Sequence, residues 1–360
     1  MSARDVAGAL DRIVSGLQGG GEVREGQRAM ADAVATAIAR HRHLVVRAGT
    51  GTGKSLAYLV PAVLSGQRVV VATATKNLQD QLAAKDLPSI SEGLRHPFSF
   101  SVLKGRSNYL CVQRVAESTT AGDQATFDED APAPNSTQVK AVLEWAGRTE
   151  SGDVAELGFE PDARVWRSFS VGPDECPGAH RCPSGSKCFA EGARAKAAES
   201  DVVVVNLHLL GAHIASGDVV LPEHDVLVVD EAHELEEVMS HSLGASISPG
   251  RIRSVVTAAR AAARERSGGA VDVAATRVSE TAAGLEEFMV ARAGERLRGG
   301  DDTDLADFVE LATSRLEALE AGLRATDGAS STDGDVNSSI DRAVLQAGRL
   351  REDIVRISAP

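Results

Sequence analysis

The chain of 360 residues carries 38 Lys and Arg against 51 Asp and Glu, which gives a formal net charge of −13 at pH 7. An acidic chain has no global basic field to attract nucleic acid, so composition alone does not indicate a nucleic-acid-binding protein. No apolar run approaches the roughly 18 residues of a membrane-spanning helix, and the first residues lack an apolar signal segment, which predicts a cytoplasmic protein without a membrane partner.

The first predicted helix starts near Arg28, directly after the sequence Arg24-Glu25-Gly26-Gln27. The side-chain amide of Gln27 can offer a donor and an acceptor to one edge of a nucleotide base. An exposed glutamine at the start of a helix is the alternative interpretation.

A glycine-rich stretch follows a short apolar run, Leu44-Val45-Val46, that predicts a strand, and it leads into a helix predicted from Leu56 onward. Consecutive backbone N–H groups in such a loop, together with the helix N-terminus, form a concave site for anions. Lys54 would place its charge at the β and γ phosphates of ATP, and the Ser55 hydroxyl would coordinate Mg²⁺. A glycine-rich turn of another cofactor fold, or a simple loop, is the alternative. We interpret the pattern as a Walker A loop with Ala in the first glycine position, whose ATP-binding residues are Ala48, Gly49, Thr50, Gly51, Thr52, Gly53, Lys54 and Ser55.

An aliphatic run after Arg68 predicts a strand that ends in hydroxyl and basic side chains. Thr75, Lys76 and Asn77 at its end can hydrogen-bond the phosphates of a nucleic-acid backbone without reading sequence. Residues 47–114 hold nine Lys and Arg and three Asp and Glu, a local charge of +6 within an acidic chain. This excess favours a groove that binds a nucleic-acid backbone, and an ordinary solvated surface, which also fluctuates in charge, is the alternative.

Four cysteines follow, at Cys111, Cys176, Cys182 and Cys188. In a reducing compartment such cysteines indicate a metal site rather than disulfides. A 4Fe-4S cluster takes four thiolates, and the Cys-Pro pairs at 176–177 and 182–183 would hold two of them in rigid turns. Zinc also accepts four thiolates, although its usual C-x₂₋₄-C spacing differs from the two C-x₅-C spacings of this chain. Spacing alone leaves both metals open.

The aliphatic run Val226-Leu227-Val228-Val229 predicts a buried strand that ends in Asp230-Glu231-Ala232-His233. A carboxylate at such a strand end can hold the Mg²⁺ shell, and its neighbour can orient the attacking water. A strand that ends in acidic residues is often only a solvated turn. Combined with the phosphate loop, the motif predicts the second half of an ATP site, with Lys54, Asp230, Glu231 and His233 as the catalytic set and Ser55 and Asp230 as the magnesium ligands.

The remaining segments carry no chemical motif. The polar, acidic stretch 118–138 predicts a loop, and a short amphipathic helix is predicted over 139–146. The segment 246–360 is rich in Ala, Arg and Glu and predicts helices alone, broken at 267–269, 299–300 and 327–339.

The order of the Walker A loop, the four cysteines and the Asp-Glu-Ala-His motif resembles the DinG/XPD family of superfamily 2 iron-sulfur DNA helicases. The resemblance implies an α/β fold: a RecA-like P-loop motor domain with a mostly parallel sheet, an inserted iron-sulfur domain and an all-helical arch domain. It places the motor domain at 1–104 and 200–245, the iron-sulfur cluster domain at 105–199 and the arch domain at 246–360.

The same resemblance assigns roles to several residues. Arg24 and Gln27 match the adenine-sensing Q motif of the family, and residues 75–77 match motif Ia, which contacts the DNA backbone. His233 would couple the nucleotide state to the DNA-binding elements. The four cysteines would hold a 4Fe-4S cluster whose role is structural.

Residues near the cysteines add further candidates. Cys111 closes a stretch from Lys104 that resembles the family's first cluster-ligand segment, so Arg106 and Tyr109 within it are candidate DNA contacts. Tyr109 would stack on a base, with a core tyrosine as the alternative. The strand predicted over 201–208 usually ends in adjacent Asn and His in the family. Leu207 separates them here, so we interpret His208 as a packing residue at the strand end.

The resemblance implies an ATP-dependent 5′-3′ DNA helicase that translocates on single-stranded DNA in repair or replication, with forked or flapped duplexes as partners. We find no Ser-Ala-Thr motif III, no second set of sheet strands and no motif VI; residues 346–351 resemble the last motif only superficially. The sequence therefore predicts the N-terminal part of a longer helicase, which requires a second RecA-like domain for turnover. A truncated ATP- and single-stranded-DNA-binding module without turnover is the alternative, and a redox sensor built on the cluster is a third.

Overall fold

The computed structural model describes residues 3–16, 21–49, 51–94, 97–120, 136–263, 269–295, 302–327 and 334–358. The chain divides into two compact units. We call the first, Met1–Lys104 with Gly192–Leu243, the α/β unit, and the second, Gly105–Glu191 with Gly244–Pro360, the helical unit.

A parallel sheet forms the centre of the α/β unit. Its strands within the described residues are β1 (Val69–Thr73), β2 (Phe100–Val102), β3 (Val202–Asn206) and β4 (Val226–Val229). Their order across the sheet is β2-β3-β1-β4, and each neighbouring pair is parallel. Parallel strands that are covered on both faces read as unbroken aliphatic runs, as β1 and β3 do. The predicted α/β fold with a parallel sheet is confirmed.

The helices surround this sheet or form the helical unit. A π-helical turn, Leu82–Asp86, joins α4 to α5, and α9 contains the boundary between the two units. In chain order the helices are α1 (Ala3–Gly16), α2 (Glu25–Ala39), α3 (Lys54–Leu64), α4 (Lys76–Gln81), α5 (Leu87–Gly93), α6 (Val112–Thr120), α7 (Ser136–Ala146), α8 (Ala163–Phe169), α9 (Phe189–Ala198), α10 (Leu207–Ala215), α11 (Leu235–Leu243), α12 (Pro249–Ala263), α13 (Gly269–Ala291), α14 (Thr303–Asp327) and α15 (Gly334–Ser358).

Helices cover both faces of the sheet because successive strand residues point to opposite sides. Val69 and Val71 of β1 belong to one core with α1, α2, α3 and α5. Val70 and Ala72 belong to the other core, with Leu210 of α10 and α11 behind it. Each fully buried Val or Leu side chain contributes about 1.5–3 kcal/mol relative to its exposed state. These two cores fix the strand ends at which the candidate site lies.

The strand predicted over Leu44–Val46 is wrong. These residues have no strand assignment, and Val45 is 95% exposed. A strand needs a neighbouring backbone to complete its hydrogen-bond ladder, and a run of three apolar residues does not provide one. In the described part of the sheet, β4 pairs only with β1.

The helical unit contains two apolar cores. One is shared by α12, α13, α14 and α15, with Val256, Leu285 and Leu319 among its buried residues. The other joins α7 and α8 through Val142 and Phe169. The helical character predicted after residue 246 is confirmed where the chain is described, whereas the division into an iron-sulfur domain and an arch domain remains a prediction.

The helix bounds agree with some of the predicted boundaries and differ from others. The helix predicted over 139–146 is confirmed as α7, which begins at Ser136. The predicted loop 118–138 is helical at both of its described ends, in α6 and α7, and its centre lies outside the described residues. The predicted breaks at 267–269 and 299–300 also lie outside them, except Gly269, which begins α13. The break predicted over 327–339 is too long, because α15 already begins at Gly334. In the described part of the chain, no helix has the length and apolarity that a bilayer crossing requires.

Candidate functional site

The phosphate loop leads directly into α3. Gly53 is the N-cap residue of this helix, with φ 73° and ψ 36°, and Gly51 also has φ 73°. Both lie in the left-handed region that glycine adopts without a Cβ penalty. Lys54 is the first residue of α3, so the loop ends at a helix N-terminus whose N–H groups have no partner within the helix. This arrangement can bind an anion. Thr50 lies outside the described residues.

Two residues of the preceding helix region hold this loop. Gln27 is 5% exposed, and its Nε2 donates a hydrogen bond to the carbonyl oxygen of Gly53 at 3.0 Å. Arg24 donates from Nη1 to the carbonyl oxygen of Gly51. Within the loop, Thr52 donates from Oγ1 to the carbonyl of Gly49 at 2.9 Å. The interpretation of Gln27 as an exposed glutamine is therefore wrong, and its amide nitrogen contacts the phosphate loop.

The acidic motif begins where β4 ends. The Asp230 backbone N–H continues the ladder by donating to the Ala72 carbonyl at 2.8 Å, and Glu231 follows in the left-handed region with φ 54°. This turn directs the backbone N–H of Glu231 to Asp230 Oδ1 at 3.0 Å. The other oxygen, Oδ2, accepts a hydrogen bond from the hydroxyl of Tyr58 at 2.9 Å. The Asp230 carboxylate is thus held from both sides.

The two predicted halves of the ATP site meet in the structure. Lys54 Nζ lies 3.1 Å from Glu231 Oε1, and the two side chains are 27% and 37% exposed. His233 Nδ1 lies 3.5 Å from Glu231 Oε2, with a His233 side chain that is 73% exposed. The four predicted catalytic residues therefore gather at the carboxyl ends of the strands, beside the N-terminus of α3. The Lys54 and Asp230 groups, with the Ser55 hydroxyl, are the donor types that bind a nucleotide and Mg²⁺.

Two buried residues beside this site were not predicted from the sequence. Tyr58 is 4% exposed, and its pKa is raised well above the usual value, first by burial and then by the negative charge of Asp230. Asp86 is 8% exposed, and burial raises its pKa against the hydrogen bonds from Gln81 and Ser55. The sequence signal for Tyr58 was its hydroxyl within an otherwise apolar stretch of α3, four positions after Lys54.

The four cysteines lie in the helical unit and form no disulfide. Burial is the first cause that raises the pKa values of Cys111 and Cys182, and the thiol of Cys182 interacts electrostatically with those of Cys176 and Cys188. Arg106 Nη1 lies 3.9 Å from Cys188 Sγ. Within the described ranges, no three Cys, His, Asp or Glu side chains are arranged to hold a metal ion. The donor chemistry suits a cluster, but this arrangement of the thiols does not form its site.

The candidate DNA contacts fall into two groups. Thr75, Lys76 and Asn77 are exposed at the start of α4, where the Thr75 side chain accepts from the backbone N–H of Leu78 at 3.3 Å. Tyr109 is only 5% exposed, so the core interpretation fits the structure better than a stacked base does.

Arg106 and His208 also differ from their predicted settings. Arg106 forms an ion pair with Glu191, so part of its charge is compensated within the helical unit. The predicted packing role of His208 is wrong, because β3 ends at Asn206 and His208 is an exposed residue of α10.

Comparisons with known proteins relate this chain to helicases. Residues 27–117 match a family model described as DEAD/DEAH box helicase. The chain is 45% identical over 245 residues to the ATP-dependent helicase DinG of Mycobacterium tuberculosis, a match that covers 64% of this chain and 37% of the relative. It is 40% identical over 246 residues to the ATP-dependent DNA helicase YoaA of Escherichia coli, which covers 67% of this chain and 37% of the relative.

More distant relatives carry related names. The 3'-5' exonuclease DinG of Bacillus subtilis is 32% identical over 240 residues, a match that covers 65% of this chain and 25% of the relative. A solved structure titled XPD_Helicase aligns with a TM-score of 0.45 at 14% identity, covering 92% of this chain and 51% of that one. The chain thus spans little more than a third of the length of its first curated relatives.

Proposed function

Because the chain carries a DEAD/DEAH box helicase domain and is similar over about two thirds of its length to DinG and YoaA helicases, we propose that it is the ATP-binding part of an ATP-dependent DNA helicase. One observation supports this most directly. Lys54 of the phosphate loop and Glu231 of the acidic motif lie 3.1 Å apart, although 177 positions separate them. A shared site of this kind is what ATP binding and hydrolysis require.

Each residue of the site has a chemical task in this proposal. The loop backbone and Lys54 bind the phosphates, and Ser55 and Asp230 hold Mg²⁺. The metal would neutralise charge on the phosphate oxygens when bound. Glu231 orients the attacking water, and His233, in contact with Glu231, couples the nucleotide state to the DNA-binding elements. Arg24 and Gln27 hold the phosphate loop through the carbonyl oxygens of Gly51 and Gly53, and their contact with adenine stays a prediction from the resemblance.

The Lys54–Glu231 ion pair has a mechanistic consequence. A nucleotide that places its phosphates at Lys54 must compete with the carboxylate for the same ammonium group. Once Lys54 binds the phosphates, the pair would separate. The carboxylate of Glu231 would then be free to position the attacking water. Nucleotide binding would in this way assemble the hydrolytic site.

The DNA partner follows from the exposed start of α4 and from the resemblance. We assign backbone contacts to Thr75, Lys76 and Asn77, in a region whose local charge is positive. Single-stranded DNA, forked or flapped duplexes, 5′-3′ polarity and a cytoplasmic role in repair or replication complete the proposal. Arg106 would serve as a further contact after separation from Glu191.

A 4Fe-4S cluster held by Cys111, Cys176, Cys182 and Cys188 is also proposed, within an iron-sulfur domain at 105–199 beside an arch domain at 246–360. The support is the donor set, four partly buried cysteines that form no disulfide and lie in one compact unit. The thiols would have to turn toward a common centre. Iron and acid-labile sulfide in protein purified without oxygen, both lost in Cys111→Ser, would support the cluster. One zinc ion per chain without iron would instead identify the cysteines as a zinc site.

Turnover is proposed to need a second RecA-like domain, supplied by a partner or by a longer chain. Arginine contacts from across the nucleotide cleft are worth about 10³-fold or more in rate in related phosphoryl-transfer enzymes. The alternative is a module that binds ATP and single-stranded DNA without hydrolysis, and intact Lys54, Asp230 and Glu231 favour the enzyme.

The proposal is tested by measuring binding and hydrolysis of ATP by the 360-residue protein, purified without oxygen, with and without single-stranded DNA. We expect magnesium-dependent ATP binding that Lys54→Ala abolishes and that Lys196→Ala, an exposed lysine outside the site, leaves unchanged. DNA-stimulated hydrolysis would show that these 360 residues suffice for turnover, whereas binding without hydrolysis would agree with a requirement for a second RecA-like domain. Failure to bind ATP would overturn the proposed function.

A further inference from the structure

We propose that Tyr58 is a positioning residue, which fixes the carboxylate of Asp230 in the orientation that receives the magnesium ion of a bound nucleotide. The inference rests on the proposed ATP-binding function and extends it to a residue outside the two motifs.

The carboxylate of Asp230 accepts one hydrogen bond on each of its oxygens. One oxygen accepts from the backbone N–H of Glu231 at 3.0 Å, and the other accepts from the Tyr58 hydroxyl at 2.9 Å. A carboxylate offers about four lone-pair positions on its two oxygens, so each oxygen keeps capacity for a further ligand. Two fixed contacts, one on each oxygen, define the plane of the group. The remaining lone pairs are thereby aimed before any cation arrives.

Tyr58 lies on the same helix as Lys54. Lys54 is the first residue of this helix, and Tyr58 lies one turn later on the same side. The intervening Ala57 is fully buried, as are Leu59 and Val60 beyond it, so this part of the helix is firmly packed. One rigid element therefore carries both the lysine for the phosphates and the hydroxyl that holds the metal-binding carboxylate. Their relative placement is set by the helix and not by a flexible loop.

The Tyr58 hydroxyl is buried among polar and acidic side chains. Tyr58 is 4% exposed and interacts with Asp230, Asp86 and Ser55. The phenol O–H is the one donor that the Tyr58 side chain offers, whereas an ionised carboxylate only accepts. It must then donate toward a carboxylate, and the hydrogen bond of 2.9 Å identifies Asp230 as the acceptor. A phenylalanine would fill the same volume and lose only this donor.

The test compares Tyr58→Phe with the wild-type chain in a magnesium titration of ATP binding, monitored with a fluorescent ATP analogue. We expect the magnesium concentration for half-saturation to rise about tenfold, because a hydrogen bond to a charged group is lost. Binding of the analogue without magnesium should not change. Val63→Ala, which removes buried packing from the same helix, is the matched control and should leave the magnesium dependence unchanged.

A double-variant cycle then separates positioning from general stability. In an Asp230→Asn background, Tyr58→Phe should have no further effect on the magnesium dependence. An unchanged magnesium midpoint in Tyr58→Phe, in a protein that binds ATP normally, would overturn the inference and leave the proposed function intact. A wild-type chain that binds no ATP would instead remove the proposed function.

Discussion

Lys54 and Glu231 form an ion pair of 3.1 Å between the first residue of α3 and the turn after β4. Neither residue belongs to a buried core, and both are partly exposed. Their contact is set by the packing of α3 and β1 beneath them, since β4 pairs with β1 and α3 covers the same sheet. The Walker lysine is therefore engaged by the carboxylate of Glu231.

Replacement of Glu231 by Gln should increase nucleotide affinity. Lys54 would no longer be attracted by a carboxylate, and the phosphates would meet less negative charge. A partly exposed ion pair contributes about 0.5–1 kcal/mol, so we expect affinity to rise about two- to fivefold. Binding of a non-hydrolysable ATP analogue measures the change without interference from turnover. Glu234→Gln, in the same turn, is the control, and equal effects in both variants would argue against the ion pair as the cause.

Gln27→Ala should weaken nucleotide binding even when the nucleotide has no base. The Gln27 amide donates to the carbonyl of Gly53 at 3.0 Å, so its removal frees the phosphate loop. We expect similar losses of affinity, about three- to tenfold each, for ATP and for inorganic triphosphate, as for loss of one buried hydrogen bond. Competition against a fluorescent analogue gives both values. A loss confined to ATP would restore the adenine-contact role that the sequence suggests.

The local motifs of the site were predictable, and the contacts between them were not. Walker A and Asp-Glu-Ala-His are short patterns whose residue types follow from phosphate and metal chemistry, so they can be read in the sequence. The Tyr58 hydroxyl reaches Asp230 across 172 positions, a contact that depends on how α3 packs on the sheet.

The aliphatic strands β1 and β3 were equally predictable, because two buried faces require apolar residues throughout. The strand predicted over Leu44–Val46 was wrong, because apolar residues alone do not supply a neighbouring strand with which to hydrogen-bond. The packing role predicted for His208 was wrong because β3 ends at Asn206, before this residue. His208 lies on the exposed face of α10 instead.

Glu320→Gln should destabilise the helical unit. Glu320 is 4% exposed on α14 and accepts from Arg351 Nε at 3.0 Å and from Arg324 Nη2 at 2.8 Å. A neutral amide would leave Arg324 and Arg351 without the charge of Glu320, and Arg351 would keep its longer contact with Glu317. Since both arginines remain partly exposed, we expect a loss of about 2 kcal/mol rather than the full cost of breaking a buried pair.

Chemical denaturation monitored by circular dichroism measures this change in the free energy of unfolding. Glu317→Gln is the control, because Glu317 is 60% exposed and reaches Arg351 only at 3.5 Å. That variant should change stability by less than about 0.5 kcal/mol. Equal losses in the two variants would show that burial of Glu320 does not determine its contribution.

His213 should make the α/β unit less stable as the pH falls. It is 7% exposed on α10, and its Nδ1 accepts from the backbone N–H groups of Val220 and Leu221 at 3.2 and 3.1 Å. Burial lowers its pKa below the usual 6.5, the nearby ring of His224 acts in the same direction, and Asp218 opposes them. The folded state thus favours the neutral ring, with its proton on Nε2.

The unfolded chain binds this proton more readily than the folded chain does, so stability rises with pH across the interval between the two pKa values. The contribution of His213 is complete above pH 6.5 and is lost as the pH falls from there through the lower folded pKa. Denaturation midpoints at about pH 8 and about pH 5.5 should differ more for the wild-type chain than for His213→Gln, whose side chain does not titrate in this range. His208→Gln, on the exposed side of the same helix, should retain the wild-type difference, because its ring has no buried acceptor role to lose. If His213→Gln also retained it, the acid sensitivity would arise from other groups, and the two backbone contacts of Nδ1 would not govern the stability of the α10 region.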